Sequence, residues 1–294
     1  MPTLPVMLLL SAAYRLIFGN FRLFVQMVAT PVLITMVAAG LLAALAGLDG
    51  IRPLRFGTPG PDGSMVVTGT EAAELRMRAV ALLALVLFSL VAMAPFLTAW
   101  HRLLHAGPRA APEDLAYRFR PPEVRYAFAL VLFLFGGMLA AAMLFALLLA
   151  ALSDGLTGGG LVMILLLSFM PPAAVFLRFA VALPAMALGR TGFGPAMAWD
   201  ATRGHTWSLL AAVALSQVPI VALKLALATL VIRIEPLFVY GVTKAMFVEG
   251  VMVCSSALSF ALVATILSLA YSRLAGRSAA GGGAPGGLTE LGDR

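Results

Sequence analysis

Two histidines four residues apart, His101 and His105, come nearest to a metal-binding pattern in this chain. The i, i+4 spacing sets both imidazoles on one helix face, as metal ligands require. No third ligand is evident from spacing. Glu113 and Asp114 follow Pro112 in the next loop, and there is no His-Glu-x-x-His arrangement. Both histidines follow the apolar run that ends at Trp100 and flank Arg102, so the sequence favours a solvated patch facing lipid headgroups. Gly158-Gly159-Gly160 lacks the strand and the Lys-Ser/Thr of a phosphate loop and reads as a turn. No serine, histidine and acid stand out together by spacing. The single Cys254 rules out an intrachain disulfide, and in its apolar run it reads as an inert thiol. No pattern asks for a cofactor.

Ionisable groups inside apolar runs are the other candidates, because each costs about 2.5 to 3.5 kcal/mol at a bilayer centre. Arg178 lies close enough to a span end to snorkel, or to pair with Asp200 as a structural tie. Lys224 sits ~14 Å along its helix from Arg233, and Gln217, two turns earlier, shares its face. Glu249, ~8 Å into the last span, is within reach of a Lys224 ammonium. That set reads as a helix-helix tie, with a polar pathway as the sharper alternative.

The elements that position these residues follow from composition. With 62% hydrophobic and 11% charged residues and a mean hydropathy of +1.01, the chain belongs in a bilayer. The net charge of +7 finds no block of Lys and Arg interleaved with aromatics, so nucleic acid is not an expected partner. Runs of about 20 apolar residues occur at 23–46, 79–100, 126–152, 161–188, 207–232 and 248–271, within one membrane domain at 1–275. The fold class expected is all-α, a polytopic bundle of six transmembrane helices. Pro171-Pro172 and Pro184 mark the fourth span as irregular, with a kink expected at the first pair. The stretch Pro236 to Phe247 either extends the sixth span or lies along the interface. Residues 276–294 read as a flexible Gly-rich tail.

Residues 4–18 lack the basic n-region of a secretory signal and read instead as an interfacial helix, with Ser11 and Arg15 on a narrow polar stripe and Gly19-Asn20 ending it. A second interfacial amphipathic helix is expected at about 195–203, started by Gly194-Pro195 and ended by Gly204 in a left-handed conformation. Asp200 and Arg203 pair there at i, i+3. Arg102, Arg109, Arg118, Arg120 and Arg125 place the second loop in the cytoplasm, and Arg190 and Arg203 the fourth, so both termini are cytoplasmic. Ala13-Tyr14 with Gly19-Asn20 recurs as Ala198-Trp199 with Gly204-His205 at an offset of 185 residues, and each pair precedes a Pro-containing span. Either a parallel internal repeat or two uses of the same capping chemistry accounts for it.

Arg178-Phe179, Leu183-Pro184-Ala185, Ala198-Trp199 and Thr202-Arg203-Gly204-His205 resemble the pattern of a family of bacterial six-helix inner-membrane proteins. That family includes the membrane domain attached to some glycerophosphodiester phosphodiesterases. Ala12-Ala13-Tyr14 with Gly19-Asn20 is similar to its first helix, and Ala99-Trp100-His101-Arg102 to the end of its second span. The resemblance implies a multi-pass bacterial inner-membrane protein of unassigned activity. The phosphodiesterase domain is absent, so its chemistry does not carry over. The expectation is a non-enzymatic scaffold, partner subunit or envelope-maintenance factor that contacts membrane lipids and a membrane-protein partner or a second copy of itself. A small-solute or lipid transporter is the alternative, followed by a membrane metal hydrolase on His101 and His105.

Overall fold

The computed structural model describes residues 5–45, 58–59, 65–66, 69–107, 115–151, 158–190, 192–234 and 241–278. Nine helices follow in order among them: α1 Val6–Gly19, α2 Phe21–Leu45, α3 Gly69–Ala106, α4 Pro121–Ala151, α5 Gly158–Ala180, α6 Leu183–Ala187, α7 Pro195–Ala201, α8 Thr206–Ile234 and α9 Gly241–Ser278. Between α2 and α3, β1 (Thr58–Pro59) pairs antiparallel with β2 (Met65–Val66). Among the described residues, six segments are long and apolar enough to cross a membrane: Phe21–Leu42, Ala79–Ala106, Pro121–Ala151, Met163–Ala187, Thr206–Leu227 and Gly250–Ala275. The protein is a polytopic bundle of membrane helices.

Several helices run past the ends the sequence suggested. α3 continues beyond Trp100 because Leu103, Leu104 and Ala106 are good helix formers, and it stops at Gly107, whose φ of 59° suits glycine. α9 begins at Gly241, so the described part of the Pro236 to Phe247 stretch belongs to the last helix and not to a separate surface segment. Its far end takes in 276–278, the start of the expected tail; residues 279–294 lie outside the described residues.

The fourth span is interrupted beside Pro184, one of the places where the sequence marks it as irregular. Helix α5 carries Pro171 and Pro172 within it, and the break falls at Val181-Ala182, just before Leu183-Pro184. Pro184 has no N–H to give to the carbonyl of Ala180, so the chain turns and restarts as α6 with proline in its first turn. Gly189, at φ 68°, then closes α6: the N–H of Arg190 donates to Ala185 O at 2.9 Å and that of Gly189 to Met186 O at 3.1 Å. Those two bonds form a Schellman motif and fix where Arg190 leaves the helix.

The chain gathers into two compact units. The first comprises residues 1–27, 94–219 and 258–294. Its core draws Leu9, Ala13 and Ile17 from α1, Phe96 and Trp100 from α3, Tyr126 from α4, and Leu262 and Ile266 from α9, all essentially inaccessible. Phe24 meets the rings of Phe96 and Trp100 edge-on, with centroids 5.9 Å apart in both cases, which is a favoured aromatic geometry. The second unit comprises 28–93 and 220–257 and buries Val28, Val32, Leu90, Met93, Ile220 and Val253.

Outward-facing positions are apolar too. Phe128, Met143 and Leu147 on α4 are each about two-thirds exposed, which suits hydrocarbon and not water. Inside the helices, hydroxyls bond back to the preceding turn: Thr35 to Pro31 O at 2.8 Å, Ser168 to Ile164 O at 2.6 Å and Thr265 to Ala261 O at 2.7 Å. An apolar medium offers a hydroxyl no other acceptor.

Candidate functional site

The polar centre of the first unit is built on the last turns of α3. His101, with no exposed surface, lies between two hydroxyls: Nδ1 is 2.6 Å from Ser268 Oγ on α9 and Nε2 is 3.0 Å from Tyr126 Oη on α4. One hydroxyl donates and the other accepts, whichever tautomer the ring adopts. Trp100 Nε1 donates to Thr265 Oγ1 at 2.9 Å, one turn earlier on α9. On the neighbouring face, Arg102 forms an ion pair with Glu123 at 2.7 Å and donates its Nε to Ala187 O at 2.9 Å. The Glu123 side chain is 4% exposed, and its other oxygen accepts the Arg120 N–H at 3.1 Å. These bonds join α3 to α4, to the end of α6 and to α9.

The solvated headgroup patch expected at His101 and His105 is therefore corrected for His101, which is fully buried; His105, one turn later on α3, is only partly buried. His105 stands edge-on to Tyr271 with ring centroids 5.6 Å apart. On the same phenol, Phe193 packs edge-on at 4.9 Å, and Arg190 Nη1 donates to the hydroxyl at 3.2 Å. Among the described residues, no three His, Cys, Asp or Glu side chains stand close enough to hold a metal ion.

Ser268 and His101 are as close as a nucleophile and its base in acyl-transfer enzymes. Ser268 and Tyr126 are each 1% exposed, and the group behind the imidazole is a phenol in place of a carboxylate. Buried in this way, the row ties α3 to α9 and α4. Tyr126, Ser268, Tyr271 and the Arg102–Glu123 pair were not singled out by sequence reasoning. The available signal was polar side chains recurring in apolar runs at Thr265, Ser268 and Tyr271, one to two helical turns apart.

The short helix α7 is tied down from α5. Arg178 lies 3.5 Å above the centre of the Trp199 ring, donates Nη2 to Trp199 O and donates Nε to Thr202 Oγ1 at 3.1 Å. Its partners are the end of α7 and an aromatic face, not Asp200. Carbonyls left over at a helix C-terminus attract a cation there. Asp200 instead meets Arg203 at 3.4 Å with both side chains exposed, a pair of little energetic weight. Gly204 holds φ at 82° in open space, with nothing within 4 Å of where a Cβ would stand. The only penalty for a side chain there is the left-handed backbone, so Gly204→Val should lose about 1–2 kcal/mol. A detergent melting curve that overlays the parent's would contradict this.

Gln217 is held by Ser259, whose hydroxyl donates to its carbonyl oxygen, and its amide donates to Ser216 Oγ at 3.0 Å. Beside it, the Tyr14 hydroxyl of α1 donates to Ser216 O at 3.0 Å. Burial pushes the Tyr14 phenol above the ordinary tyrosine range, which keeps it a donor. In the second unit, Lys224 Nζ donates to Ser256 Oγ at 3.2 Å. The Glu249 side chain lies outside the described residues.

Ala13 and Ala198, paired in the repeat, are both fully buried, but their caps differ. Asn20 ends α1 at φ −114° with its side-chain amide on Leu16 O at 2.8 Å, whereas the turn after α7 uses the left-handed Gly204.

Fold and site together define a multi-pass α-helical membrane protein whose buried polar groups bond helix to helix. Compared with known proteins, the chain matches no family model, no curated protein and no solved structure.

Proposed function

We propose that the chain is a non-enzymatic protein of a bacterial inner membrane, a scaffold, partner subunit or envelope-maintenance factor, with both termini in the cytoplasm and α1 and α7 lying at the cytoplasmic interface. The kinship with the membrane domain of glycerophosphodiester phosphodiesterases belongs to the same proposal. The observation that carries it is the closure of the polar centre: His101, Ser268, Tyr126, Arg102 and Glu123 spend their hydrogen bonds on one another and on the backbone. Among the described residues, recognition is left to apolar helix surface and to the exposed Arg15, Arg22, Arg118, Arg125, Arg190 and Arg203.

Purification of the full chain in mild detergent tests this. A membrane-protein companion at constant stoichiometry is the expected result; substrate turnover by the isolated chain would overturn it. One observation favours transport as a second reading. Lys224, part-buried in the last turn of the Thr206–Leu227 span, is paired with a serine hydroxyl among the described residues, and intramembrane cations often mark solute paths. Solute uptake into proteoliposomes that Lys224→Met abolishes would decide for it.

A further inference from the structure

His105, Arg190 and Tyr271 come together near the ends of the second, fourth and sixth candidate spans, which all terminate on the same side of a membrane if every span crosses it. Their hydrogen-bonding inventory is lopsided. The Tyr271 hydroxyl accepts from Arg190 Nη1, and among the described residues its own proton has no acceptor. Arg190 is exposed and meets no described carboxylate, which leaves most of its N–H groups unused. His105 Nε2 is buried without a hydrogen-bond partner among the described residues. Arg190 and Tyr271 thus offer N–H and O–H groups that no described acceptor takes up, and the neighbouring His105 Nε2 is buried and unbonded, which is costly.

The complement is a group that only accepts, carries negative charge and offers several oxygens. We infer that Arg190, Tyr271 and His105 form a binding site for a phosphate oxyanion, supplied by the headgroup of an anionic phospholipid. The Schellman turn at Gly189 fixes the backbone of Arg190, so the guanidinium is delivered from a rigid corner. Planar forked donors suit phosphate oxygens. Arg190 is the exposed member of the cluster and donates to the hydroxyl of the buried Tyr271; in its Nε2–H tautomer, His105 supplies a third donor. The headgroup is favoured over free phosphate by place: His105 and Tyr271 lie within the last turns of their spans and Arg190 just beyond its own, where lipid phosphates concentrate. The inference rests on the membrane reading.

Native mass spectrometry of the full chain from vesicles of equimolar phosphatidylglycerol and phosphatidylcholine tests the site, using Arg190→Gln and Tyr271→Phe. The second variant keeps the ring that Phe193 and His105 pack against. The parent is expected to retain phosphatidylglycerol over phosphatidylcholine, and each variant to lose retention on the order of tenfold. Equal phosphatidylglycerol retention by the parent and a folded Arg190→Gln, or by the parent and Tyr271→Phe, overturns the site. So does equal retention of the two lipids. Inorganic phosphate titrated without lipid separates the sources: stabilisation of the parent by phosphate alone, with no lipid retained, overturns the headgroup assignment. A chain that stays in solution without detergent or vesicles would instead overturn the membrane reading.

Discussion

Glu123→Ala should be among the most damaging single changes, lowering stability in detergent by about 3–5 kcal/mol because it strands the Arg102 guanidinium in a largely buried position. The same change takes the acceptor from the Arg120 N–H at the start of α4. Arg102→Ala should cost a similar amount and also releases Ala187 O at the end of α6. The double variant should recover part of the loss, since no lone charge then remains buried. Thermal or denaturant unfolding of the four proteins checks this. Single variants that melt within a degree of the parent, or losses that simply add, would show that the pair is not coupled.

His101→Leu should have the next largest effect, about 2–4 kcal/mol, by leaving the Ser268 and Tyr126 hydroxyls buried without their partner. Ser268→Ala and Tyr126→Phe should each cost less, because each removes its own polar group along with the bond. Combining Ser268→Ala and Tyr126→Phe with His101→Leu should therefore be milder than His101→Leu alone. Unfolding midpoints in one detergent decide the order, and a triple variant less stable than His101→Leu contradicts the account. Were Ser268 a nucleophile, Ser268→Ala would abolish an activity and leave the midpoint nearly unchanged.

The six long helices were legible because an apolar medium leaves little choice: about 20 apolar residues in a row can satisfy their backbone only as helix. The caps of α7 were legible for a similar reason, as Pro195 and Gly204 each have few conformations to offer. The direction of a polar side chain was less so. His101 next to Arg102 reads as a wet helix end, and only contact with Ser268 and Tyr126, 167 and 25 residues away in sequence, turns it into core. Arg178 shows the same limit from another side: the carboxylate of Asp200 is the obvious partner in one dimension, yet in space the carbonyl and ring of Trp199 are nearer. The break beside Pro184 carries its own bond, Ala182 N–H to Phe179 O at 2.9 Å, whereas Pro171 and Pro172 lie within helix α5.

The bond from Tyr14 to the Ser216 carbonyl joins residues 202 apart in sequence, and this has a consequence for biogenesis. At bacterial and eukaryotic translation speeds of roughly 5–20 residues per second, the acceptor emerges some 10 to 40 s after the donor. For that time α1 has been made, with Leu9, Leu10 and Ile17 on the face it will later bury, but its anchoring carbonyl does not yet exist. A helix waiting so long needs a temporary host for its oily side, and the bilayer surface is the nearest one. Completion of this fold is thus timed by its own chain length, and α1 gains this bond only after the fifth span is made.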